Sequence, residues 1–95
     1  MSSLSFKKCF AVGCEAVIPR HMLMCRDHWF RVPSWTREEV ARTWAAWEQG
    51  GAGTLRLYVL ATLRAQLAIA EKEEKHDPAK AIRSMIIRIE QKEAA

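Results

Sequence analysis

Cysteine is scarce in this chain. There are three among 95 residues, Cys9, Cys14 and Cys25, and none beyond position 25. An odd number cannot close into an all-disulfide framework without leaving a thiol over. Long apolar runs are missing as well, so no segment is expected to cross a bilayer and no membrane is expected as a partner. The opening stretch, MSSLSFKKCF, has lysines but no following hydrophobic region with a small-residue cleavage site, so it does not read as a secretion signal. The expected location is the cytoplasm. In a reducing compartment clustered thiols more often hold a metal than pair with one another. Charge of one sign is also in short supply. The formal net charge is +4, with acids interleaved among the bases and no basic tail. Mild basicity of this kind usually marks a solvated surface. There is no glycine-rich phosphate loop, no H-E-x-x-H and no deaminase-type H-x-E with P-C-x-x-C. Internal repeats and low-complexity segments are absent.

What is present is apolar residues in good supply, 49% of the chain, enough for a globular protein. A chain of this length reads as one domain that buries a modest share of its surface, so an added staple would help it fold. The expected architecture is mainly α. Cys9 and Cys14 at a turn, then a short β-hairpin, then Cys25 and His28 at a helix start describe a small treble-clef-like zinc module (1–33), and two or three packed helices (34–95) follow it. The first eight residues read as a loose arm. EAVIP and HMLMC read as the two hairpin strands around Pro19 and Arg20, with Gly13 and Pro19 as turn residues. After Pro33 the pattern turns helical. Thr36 and Glu39 have capping-box spacing, and Trp35 and Val40 sit where a hydrophobic staple would. Val40, Trp44 and Trp47 then share a face, and Gly50–Gly53 stops the helix. A second helix is expected from Thr54 to about Lys75. Its stripe is Leu55, Val59, Leu63, Leu67 and Ala70, widened by Leu57, Leu60 and Ala61, and its EKEEK end is expected to be solvated. A third helix starts with Asp77 as N-cap and Pro78 at N1, with Ile82, Met85, Ile86 and Ile89 as its stripe.

The chemistry concentrates between Cys9 and His28. Cys9 and Cys14 are separated by four residues, with Gly13 directly before the second. A tight glycine turn lets both thiolates face one ion. Cys25 and His28 follow as C-x-x-H, a spacing that shares one face of a helical turn. If the pair opens a helix, its N-terminal amides favour thiolate. Three sulfurs and one nitrogen form the closed tetrahedral set of a structural zinc site, and their softness argues against magnesium or calcium. The bland alternative is unrelated buried cysteines beside a surface histidine, but two ligand pairs at workable spacings are hard to obtain by accident. His28 is the weakest member of the set. His21 is the substitute, although it lacks a paired spacing and reads as an exposed hairpin residue.

Other residues carry less. Cys25 and His28 as nucleophile and base would want an orienting third group and an oxyanion pocket, and nothing marks either, so no enzyme is expected. Among the tryptophans, Trp35 and Trp44 read as core, whereas Trp29 and Trp47 could be exposed and serve a binding surface. Lys7, Lys8, Arg20, Arg26 and Arg31 surround the zinc module. They could meet phosphates, yet Glu15 and Asp27 lie among them and the footprint is thin. The stripe of the last helix is most simply core, with a homodimer or partner face as the other use.

The pattern CFAVGC, then MCRDHWFRVP, then VARTWAAWEQG resembles a group of small phage- and prophage-encoded zinc-finger-like proteins of undefined function. Its marks are a C-x₄-C pair, a C-R-x-H-W-x-x-V-P run and a tryptophan-bearing helix stopped by glycine. The resemblance covers about three quarters of the chain, and the C-R-x-H-W-x-x-V-P run is its specific part. It implies zinc ligands at Cys9, Cys14, Cys25 and His28, and Pro33 as the break between modules. The helix after Pro78 departs from the group's pattern. The expected function is non-enzymatic binding to a host or phage protein, as an inhibitor of a host enzyme or defence system, with Trp29, Trp47, Arg26 and Arg31 as candidate contact residues. The alternative is a nucleic-acid-binding zinc finger.

Overall fold

A computed structural model describes residues 6–94. Strands β1 (Phe6–Lys8) and β2 (Val17–Pro19) pair antiparallel, with Lys7 opposite Ile18. Helices α1 (Arg26–Arg31), α2 (Ser34–Glu48), α3 (Thr54–Lys72) and α4 (His76–Ala94) follow. The fold is mainly helical, with a short hairpin ahead of packed helices, as the sequence pattern predicts.

The hairpin differs in detail from expectation. Its first strand is Phe6–Lys8, in the segment expected to be a loose arm, while HMLMC forms no strand. FKK shows no buried alternation that period-two reading could detect, because Phe6 and Lys8 are both exposed. The apolar residues of HMLMC serve turns instead. Met22 N–H donates to Pro19 C=O, Phe10 N–H donates to Leu23 C=O, and Met24 is fully buried. These turns bring Cys25 back beside the tip of the hairpin.

Helix α2 begins at Ser34 behind Pro33, with no side-chain cap, so the Thr36–Glu39 capping box does not form. Thr36, Val40 and Thr43, at i, i+4 and i+7, are buried. The Thr43 hydroxyl is satisfied by the Glu39 and Val40 carbonyls, as a buried hydroxyl must be. Trp35 therefore points outward at 67% exposure, contrary to its reading as core and as staple. Trp44 is also 38% exposed, at the flank of the helix.

Gly53, at φ 75°, leads into α3 from the left-handed region. Leu60 to Leu63 are four consecutive buried residues, so α3 is covered on more than one side, as its wide apolar stripe predicts. Leu55 and Leu57, in the first turn, are nearly half exposed and do not join the seam. On one side Ala61, Ala65 and Ile69 pack with Cys9, Ala11, Met24, Val32 and Val40. On the other, Leu60, Leu63 and Ala70 pack with Ala79, Ile82 and Ile86 of α4. The alanines let the hairpin tip approach the α3 backbone closely.

Helix α3 ends in a Schellman motif. Glu74 N–H donates to Glu71 C=O, and Lys75 N–H donates to Ala70 C=O, with Glu74 at φ 57°. Helix α4 then starts at His76, with Ile82 and Ile86 buried, Ile89 half-buried and Met85 42% exposed.

Candidate metal centre

The hairpin tip makes the first half of the centre. Cys14 N–H donates to Ala11 C=O, and Cys9 N–H donates to Ala16 C=O, which closes the loop from Cys9 to Cys14. Gly13 sits at φ 79°, where a side chain is strained. Added bulk there would also meet the Lys75 ammonium at 3.1 Å. The second half is the start of α1, with Cys25 as its N-cap and His28 one turn on. The Cys25 amide donates to Cys9 Sγ at 3.2 Å, so backbone from one half already contacts sulfur from the other.

The donor atoms of Cys9, Cys14, Cys25 and His28 all lie within 4.8 Å of one another. His28 Nδ1 is 3.2 Å from Cys25 Sγ and 3.7 Å from Cys9 Sγ. Tetrahedral ligands about 2.3 Å from an ion are spaced roughly 3.5–4 Å apart, so the cluster is close to the size a zinc ion needs. All three thiols are free of disulfides. Cys9 is buried and the other three members are half-buried. Donor chemistry, spacing and burial together make this a potential metal site of the Cys₃His kind, consistent with zinc. His21 is exposed and stands outside the cluster.

The electrostatics are those of a tightly coupled group. Burial pushes the Cys9 thiol up to about 11, against the amides of Cys25 and Ala11, which favour thiolate. Burial acts upward on Cys25 too, but the His28 amide, the His28 ring and the neighbouring sulfurs outweigh it and hold this thiol below its usual range. Burial opposes charge on His28, while contacts with Glu73 and Cys25 more than compensate and raise it.

Behind the ring lies a residue that sequence reasoning placed in solvent. Glu73 Oε2 is 2.9 Å from His28 Nε2 and 3.2 Å from Arg31, and Glu73 Oε1 is 3.0 Å from Lys75. Its side chain is only 19% exposed, and the hydrogen bonds from His28 and Lys75 hold its carboxyl at about 2. Lys75 also donates to the Val12 carbonyl in the hairpin tip. Gln66 donates to the Phe10 carbonyl at 2.7 Å, and Lys72 donates to the Arg31 carbonyl. One face and one end of α3 thus hold both halves of the centre. The EKEEK motif offered no sign of this, since a charge run at a helix end ordinarily faces water; only the fold brings it against His28.

The candidate contact residues separate. Trp29 is half-buried and packs on the first core, beside an open cavity of about 250 Å³ bordered by Met22, Met24, Val40, Trp44 and Tyr58. Trp47 is 39% exposed and stacks with Tyr58 at 5.7 Å between ring centroids. Arg26 and Arg31 are both exposed, Arg26 over the Phe30 ring and Arg31 on Glu73. No helix among the described residues is long and apolar enough to cross a membrane. Comparison with protein-family models, with curated proteins and with solved structures finds no match to this chain.

Proposed function

We propose that this chain is a non-enzymatic, zinc-stabilised binding protein of phage type that docks on a host or phage protein. The observation that carries the zinc reading is the closed set of four protein donors, Cys9, Cys14, Cys25 and His28. A structural zinc takes all its ligands from protein, whereas a catalytic one keeps a position open. The ion would supply an apparent ~10–16 kcal/mol to folding of a small unit. That rivals the whole stability of an ordinary domain, about 5–15 kcal/mol. The hairpin has three residues in each strand, and contacts from α3 hold its tip, so the ion would add the link that joins the tip directly to the start of α1.

Protein binding draws support from the surface. Trp35 and Phe30 are 67% and 60% exposed, and Arg26 and Arg37 both lie over the Phe30 ring. Exposed aromatics and arginines are the side chains that dominate protein interfaces. A nucleic-acid role has less to stand on, because Lys8 and Arg31 are engaged by Glu15 and Glu73. The sequence resemblance is the support for a phage origin, and inhibition of a host enzyme or defence system is a use suggested by the resemblance and the small size alone.

Metal analysis joined to affinity capture from a bacterial lysate tests the proposal. About one zinc per chain is expected, together with one stoichiometric protein that is lost in a Phe30→Ala/Trp35→Ala variant. Capture of DNA or RNA that falls steeply with salt, with no protein retained, would overturn the binding half.

A further inference from the structure

We infer that Glu73 is a positioning residue of the metal centre, which fixes the His28 tautomer and, through Lys75, ties both ligand pairs to the end of α3. The inference rests on the zinc reading and extends it beyond the four donors. An imidazole that ligates through Nδ1 must carry its proton on Nε2. Glu73 Oε2 lies 2.9 Å from that Nε2, placed to accept the proton's hydrogen bond and to leave the Nδ1 lone pair facing the sulfurs. A carboxylate in this position orients the ring and raises the basicity of the ligating nitrogen.

The surrounding charges fit the role. Three thiolates on a divalent ion leave a centre of net charge about −1, and a carboxylate next to it adds to the repulsion. Arg31 and Lys75, both on Glu73, offset these two charges. Lys75 then reaches the Val12 carbonyl beside Gly13, between the first two ligands. The backbone is shaped for the contact. Glu74 takes up the left-handed conformation that turns Lys75 toward the hairpin tip while Glu73 remains at the helix end under His28.

The test is zinc affinity by chelator competition on the full chain, read beside the nitrogen and proton NMR signals of His28. In the native protein we expect Nδ1 bound to zinc and a slowly exchanging proton on Nε2. Glu73→Ala should weaken zinc binding by about 10- to 100-fold and speed exchange of that proton. Glu73→Gln keeps an acceptor and removes the charge, so its affinity should fall between the two. If Glu73→Ala does not fold, the Glu73→Gln variant decides alone: native affinity with an unchanged Nε2 proton contradicts the role. Equal zinc affinity in native and Glu73→Ala proteins overturns this inference and leaves the metal reading intact. A native protein that takes up no zinc overturns the metal reading first.

Discussion

The Cys14 side chain is half-buried, so exchanging its sulfur for oxygen removes little packing. What it removes is a soft donor, and serine cannot replace a thiolate on zinc. Cys14→Ser should therefore lose the metal and unfold the hairpin module, as read by zinc content and thermal melting. His21→Ala should keep both, because His21 is exposed and outside the cluster. Trp35 offers a second contrast. At 67% exposure, Trp35→Ala should change stability by no more than about 0.5 kcal/mol. Met24→Ala, at a fully buried position, should cost about 2–5 kcal/mol. Denaturant midpoints separate the two. At this scale the four donors were legible because ligand chemistry needs particular residue types at short spacings. Glu73 was not, because its partner His28 lies 45 residues away and its own neighbourhood in the chain is uniformly charged.

Among the elements, α3 holds the arrangement together. Its small residues, Ala61 and Ala65, admit the hairpin tip, its Gln66 satisfies the Phe10 carbonyl, and its C-terminal turn supplies Glu73 and Lys75. That turn depends on Glu74 in a left-handed conformation, which costs a residue with a Cβ roughly 1–2 kcal/mol. Glu74→Gly relieves the strain, although glycine loses more freedom on folding. The net expectation is a gain of up to about 1 kcal/mol in chemical denaturation with zinc content unchanged. Placing leucine at position 65 should do the reverse. Ala65→Leu forces bulk into a fully buried seam and should cost about 1–3 kcal/mol. The long helices were legible from periodicity and from glycine and proline stops. The entry into α2 was not, since Thr36 satisfies a capping pattern and yet its place in the fold is a buried seam. Strand β1 was hidden for a related reason: three residues with no buried alternation leave no periodic trace.

For the molecule as a whole, two cores share one helix, and the centre stands at the edge of the first. Cys9 belongs to that core and Cys25 packs against it. Loss of the ion should therefore release the hairpin and loosen the seam along Ala61 and Ala65. The α3–α4 core, which contains none of the four donors, should lose less. Hydrogen exchange on chelator-treated protein would read this as deprotection of residues 6–32 ahead of residues 79–89. The most direct test of the account is zinc content measured together with thiol titration and thermal melting, before and after chelation. About one zinc per chain is expected, with three cysteines that react only once the chelator is added and a melting transition that falls when the metal leaves. A metal-free protein that melts at the same temperature, or cysteines found joined in a disulfide, would contradict it.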